Sequence, residues 1–164
     1  MNTGQMLLAV GAMILLATII LRVNNSFMAS DEVLDQSKYN FLATSIAISI
    51  IQEAKNLSFD EKTLDSLDVN YAHDLTPKNV LGDEDETRDQ FDDFDDFHLW
   101  SDTVSTLPSA VFNVSCIVQY VDETDLTKPS ANNTFNKMIT VTVSSPFMPD
   151  VVTLSSVFSY WFFR

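Results

Sequence analysis

MNTGQMLLAVGAMILLATIIL, residues 1–21, carries no charged side chain, and the way it is read decides the fold. In a helix rising about 1.5 Å per residue it spans roughly 30 Å, the hydrocarbon thickness of a bilayer. Its apolar residues ring the helix, so burial is needed on every side, in lipid or in other protein. A secretory signal peptide would begin with a positive region and end at a small-residue cleavage site. No Lys or Arg precedes this run, and no Ala-x-Ala follows it before Arg22. Two readings stay open: a plain membrane anchor, or a helix that starts in a membrane and later lies in the core of a helical polymer.

Outward from this stretch the helical pattern does not break. No Pro occurs before Pro77 and no Gly between Gly11 and Gly82, so the two strongest helix stops are absent. Phe27, Leu34, Phe41 and Ile48 recur every seven residues, and Leu42, Ile46, Ile50 and Ile51 widen the stripe. The pattern predicts one helix from about Asn2 to Lys55, roughly 80 Å long. Asn24-Asn25-Ser26 is its weakest point. Residues 1–25 form the hydrophobic half and residues 26–164 the head. Within the head the amphipathic half runs to about 56, a connector with an acidic loop covers 57–108, and an antiparallel sheet covers 109–164.

The head carries most of the charge. With 23 acidic against 9 basic residues the net charge is −14, which argues against recognition of nucleic acid through phosphates. Between Asp83 and Asp96 nine residues are acidic and only Arg88 is basic. Phe91, Phe94, Phe97 and Trp100 recur at threes through this run, a spacing a purely solvated tail has no use for. The expected arrangement is a tight turn whose Phe side docks on the domain while Asp92, Asp93, Asp95 and Asp96 point outward. Clustered carboxylates repel unless a cation or backbone N–H groups neutralise them. Ca²⁺ takes such oxygen ligands, so these four aspartates are candidate metal ligands, although the spacing is not that of an EF-hand. Capping of a structural turn is the competing explanation. Ca²⁺ is the one cofactor the residues suggest. His98 reads as a packed loop histidine.

After Pro108 the period changes to two. Phe112, Val114, Cys116, Val118 and Tyr120 share one face of a strand; Phe135, Lys137, Ile139, Val141 and Val143 share a face of the next. A last strand carries Val152, Leu154, Phe158, Tyr160 and Phe162 on one side. Three such strands with short returns make an antiparallel meander with one wet face. Phe41, Ile48 and Ile51 are the expected cover for its dry face, and Cys116 is expected to be a small buried residue. The predicted fold class is α+β: a long N-terminal α-helix with its C-terminal half packed on a small antiparallel β-sheet.

The order of these parts resembles type IV pilins and pseudopilins. FDDFDDFHLW, residues 91–100, is similar to the FDDVDDYHGW-type motif of minor pilins like those of the mannose-sensitive haemagglutinin pilus. KMITVTVSSPFMPDVVTLSSVFSYW, residues 137–161, is similar to the closing strands of that group. The resemblance implies a lollipop-shaped structural subunit. The inner membrane would hold it by its helix until assembly machinery stacked it with copies of itself into an extracellular filament. Met1, Gln5, Leu8, Ala12, Leu15 and Ile19 are the expected assembly residues. Two departures stand out. The family commonly has Glu as the fifth mature residue, whereas Gln5 can hydrogen-bond a neighbour's terminal amine without pairing its charge. The family's C-terminal disulfide loop is absent, since Cys116 is the only cysteine. Gly4 directly before Gln5 offers a prepilin-type peptidase a site, but Met1 is expected to be the start of the mature chain, or the chain to be uncut.

An enzyme is not expected: the chain has no nucleophile elbow, P-loop, GxGxxG or HExxH. The alternative to a filament subunit is a monomeric, single-pass, membrane-anchored surface domain that binds a cation or a protein partner.

Overall fold

The computed structural model describes residues 2–64, 69–82, 86–105 and 110–160. The chain divides into two compact units, Met1–Lys38 and Tyr39–Arg164. Helix α1, Thr3–Asn56, runs through the first and supplies the opening element of the second. Its ends fall within a residue of those expected, and Asn24-Asn25-Ser26 is helical. Seryl and threonyl hydroxyls within α1 bond back to its own carbonyls, Thr18 to Leu15 at 2.8 Å and Ser30 to Ser26 at 2.9 Å, so they cost the helix no unpaired polar group.

The second unit is a sheet with a helical cover. Strands β1 (Ser101–Val104), β2 (Phe112–Tyr120), β3 (Asn136–Ser144) and β4 (Val152–Ser159) pair antiparallel in chain order. The buried face of β2 and β3 follows the period-two pattern. Across the pair Val114 faces Val143, Cys116 faces Val141, Val118 faces Ile139 and Tyr120 faces Lys137. Cys116 is buried as expected, and burial pushes its thiol up to about 12. The fold class is therefore the expected one, a long N-terminal helix whose C-terminal part packs on a small antiparallel sheet. Phe162 lies outside the described residues.

Two details differ from expectation. Strand β1 was assigned to the connector; it is a four-residue edge strand, SDTV, largely exposed and without an alternating pattern to betray it. The helix also turns only part of the expected stripe to the sheet, since Ile51 packs on the core and Phe41 and Ile48 do not. Ala43, Ala47, Ile50 and Ala54 are buried, Leu42, Ile46 and Ile51 are half-buried, and Phe41 and Ile48 are exposed. Ala43, Ala47 and Ala54 on the contact face fill the space over the sheet with small side chains, where a Phe in their place would overpack the core.

The connector is tied down by polar contacts. Asp60 precedes the one-turn helix α2 (Glu61–Leu64) and accepts from the Lys62 N–H at 3.1 Å, an N-terminal cap. Asn133 donates to the carbonyls of Leu75 and Thr76 at 3.0 and 3.2 Å, and Lys78 Nζ donates to the Ser130 carbonyl at 2.8 Å. Segment 75–78 is thereby held to the β2–β3 loop.

Candidate functional site: an apolar helix and a buried lysine–carboxylate cluster

Two features stand out, one in each unit. In the first unit α1 contains an 18-residue window of mean hydropathy 2.5, none of it buried by the rest of the chain. Among the described residues it is the one helix long and apolar enough to cross a membrane. Of the expected assembly residues, Gln5, Leu8, Ala12, Leu15 and Ile19 are all exposed, and their alternating steps of three and four put them on one helix face. Met1 lies outside the described residues. Apart from the adjoining helix backbone, no atom lies within 4 Å of where a Cβ would stand on Gly4 or Gly11, so this surface is open at both glycines.

In the second unit the acidic run folds back on itself. Phe91, Phe94 and Phe97 are buried and Trp100 is half-buried, so the aromatic side docks as expected. The carboxylates do not all face outward: Asp92 is exposed, but Asp93, Asp95 and Asp96 are buried. Asp93 Oδ1 accepts from the N–H groups of Asp95 and Asp96 at 2.7 and 3.2 Å. Asp96 Oδ2 accepts from those of Asp92 and Asp93 at 2.9 and 3.0 Å. Backbone donors thus meet much of the charge inside the turn, the capping arrangement of an aspartate-rich loop. Asp92 and Asp96 also join Glu86 in a group whose carboxylate oxygens lie within 4.8 Å of one another. The four candidate ligands are therefore split, with Asp93 and Asp95 engaged elsewhere.

Arg88, the lone cation of the run, holds this segment to the helix. Its guanidinium lies over the rings of Phe91, Phe97 and Trp100 at 5.0, 4.7 and 5.0 Å and pairs with Glu53 of α1 at 2.6 Å. His98 is the packed loop histidine expected. Its Nδ1 accepts the Val118 N–H at 3.2 Å, continuing the ladder after Cys116 N–H bonds the Trp100 carbonyl at 2.9 Å. Burial lowers its pKa, which keeps the ring neutral and able to accept.

The centre of the cluster is Lys137, which sequence reasoning placed on the dry face of its strand without explaining it. The side chain is wholly buried. Nζ donates to the Phe59 carbonyl at 2.9 Å, to Asp60 Oδ2 at 2.8 Å and to Asp95 Oδ1. The rings of Phe59 and Tyr120 stand 4.8 and 5.3 Å from it. Asp60 is richly bonded: Thr76 N–H reaches both carboxylate oxygens at 3.1 Å, and the Thr76 hydroxyl donates at 2.9 Å. Tyr120 donates its hydroxyl to the Thr76 carbonyl at 2.7 Å and lies 3.2 Å from Asp60 Oδ2.

The three carboxyl groups are not equivalent. Burial acts to raise the pKa of Asp60, but the Lys137 charge and the donors around it win, and the group sits below the usual carboxylate range. Asp95 is raised, by burial first, against the pull of Lys137. Asp93 is pushed up to about 9 by burial and by the charge of Asp95, so it holds a proton at neutral pH. Burial, then the charges of Asp60, Asp95 and Asp93, raise Tyr120 as well, leaving a neutral phenol as donor. The signal for this cluster was present in the sequence as a lysine at an inward position of a half-buried strand. Its partners Asp60 and Asp95, 77 and 42 residues away, carry no local pattern. No family model matches the chain, and no curated protein or solved structure matches it either.

Proposed function

We propose that the chain is a structural subunit of an extracellular type IV pilus-like or secretion-pseudopilus filament, polymerising through its apolar N-terminal helix. The observation that carries this reading is the apolar surface of the first unit, which the rest of the chain leaves uncovered, beside a second unit that closes a core of its own. Lipid satisfies such a helix before assembly, and packing against the same helix in other copies satisfies it afterwards. The exposed Phe27, Leu34, Phe41 and Ile48 extend the surface available to neighbours along α1. The inner membrane holds the unassembled pool, assembly machinery extracts it, and no nucleic acid takes part. The role is mechanical, without an enzymatic step.

Electron microscopy of purified full-length material, with N-terminal sequencing, tests the reading. Fibres containing the whole chain are expected, and Ala12→Asp should abolish them, because a carboxylate at the centre of an apolar helix costs about 2.5–3.5 kcal/mol even on the permissive insertion scale. Ala12→Phe keeps the helix apolar and adds bulk only, so it separates lost packing from lost membrane insertion; it too should abolish fibres. Detergent-solubilised monomers that form no fibres under any condition would instead favour a single-pass anchored surface domain.

A further inference from the structure

We propose that Lys137 and Asp95 become joined by an amide bond within the folded chain, with Asp93 and Asp60 relaying the protons. The inference goes beyond the filament reading and stands whether or not the chain polymerises.

The geometry assembles the reactants of a condensation. The amine of Lys137 is wholly buried and in direct contact with the Asp95 carboxyl, with two aromatic rings close by and the Asp60 carboxylate as its second acidic partner. Solvent is excluded, and in such a medium a charged pair loses much of its advantage over a neutral amine and a neutral acid. Fixing the two reactants side by side removes the part of the barrier that free molecules spend on meeting in the right orientation.

The carboxyl groups differ in a way that assigns their parts. Asp60 receives the Thr76 N–H, the Thr76 hydroxyl and the Lys62 N–H, which hold it as an anion beside Nζ. A weak base, it takes a proton only from the strongly acidic nitrogen of the addition intermediate and passes it on. The contacts of the Asp95 carboxyl are Lys137 Nζ and the Asp93 side chain, which leaves it the electrophile. Asp93 is hydrogen-bonded to Asp95 through its side chain and keeps a proton, so it can protonate the departing hydroxyl of Asp95.

The step balances without any further reagent. With the shared proton of the ion pair on Asp95, the Lys137 amine attacks Asp95 Cγ. An N–C bond forms, the C–OH bond breaks, the Asp93 proton passes to the departing hydroxyl, the Nζ proton passes by way of Asp60 back to Asp93, and one water leaves. Net charge is unchanged. The product links β3 to the acidic turn across 42 residues of chain, in a protein whose single cysteine forms no internal disulfide.

Intact-mass spectrometry of the full chain, purified in detergent, tests this directly. The expected mass is lower than the sequence mass by one water, and proteolysis should release a branched peptide connecting Lys137 to Asp95. Lys137→Met should show the full sequence mass. Asp95→Asn should lose ammonia in place of water, and the branched peptide through Lys137 should persist, which separates the crosslink from succinimide formation at the new asparagine. Asp93→Ala should leave the bond unformed while circular dichroism reports a folded sheet. A wild-type chain at its full sequence mass, with Lys137 recovered in a linear peptide, overturns the proposal, as does a water loss that persists in Lys137→Met.

Discussion

Arg88 and Leu99 are single residues whose local chemistry sets the acidic segment. Three aromatic rings around the Arg88 guanidinium and one carboxylate beneath it make a contact that a lysine cannot reproduce, because an ammonium neither stacks nor forks. Arg88→Ala should therefore destabilise the second unit by about 1–2 kcal/mol, while Glu53→Ala, which removes a partly exposed partner, should cost less than about 1 kcal/mol. Denaturant unfolding of both variants distinguishes the ring contacts from the ion pair. Leu99 stands at φ 60°, a left-handed conformation that a branched side chain resists, and its side chain is exposed. Relief of about 1–2 kcal/mol, less the extra chain entropy of glycine of about 0.4–1 kcal/mol, gives Leu99→Gly a net gain of about 0.5–1 kcal/mol in the same assay.

At the scale of elements, the helix-on-sheet contact turns on alanine. Ala47 is fully buried against the sheet, whereas Phe41 is 73% exposed although both lie on the head-proximal half of α1. Ala47→Leu should cost about 1–3 kcal/mol by overpacking, and Phe41→Ala should fall within about 0.5 kcal/mol of wild type in the monomer. A large loss in the second variant and none in the first would mean that the helix packs by its Phe stripe. The contrast also explains what could be read beforehand. Periodicity registered where the large residues recur, and so predicted the helix and strands β2, β3 and β4 well. It found Ile50 and Ile51 of the contact stripe but missed Ala43, Ala47 and Ala54, because alanine carries little hydrophobic weight. The edge strand β1 was missed because nothing in SDTV alternates. In the acidic turn the docked aromatics followed from their spacing. The inward turn of Asp95 did not, since its partner is a lysine 42 residues beyond it.

For the whole molecule the buried carboxyls tie stability to pH. Asp93 has its folded pKa raised from 3.8 to about 9, so the folded chain binds a proton that the unfolded chain releases across that interval. The stability this contributes is fully present below 3.8 and is lost as pH rises through about 9. Asp60 works in the opposite sense: its folded pKa is lowered, so its contribution is present above 3.8 and is lost as pH falls through the folded value. The second unit should accordingly be most stable in mild acid, just above the ordinary carboxylate range, and weaken steadily toward alkaline pH. A fragment beginning at Ser26 should suffice for the measurement, because the core lies wholly within Tyr39–Arg164 and needs nothing from the apolar stretch. Thermal unfolding of that fragment at its full sequence mass, with Lys137 and Asp95 unlinked, should show the midpoint falling with pH across the interval in the parent. Asp93→Asn, which carries the neutral form permanently, should flatten the dependence and leave the variant more stable than the parent at the alkaline end. A midpoint that climbs through the same interval would mean that Asp93 is ionised in the fold and that the lysine, not burial, governs its proton.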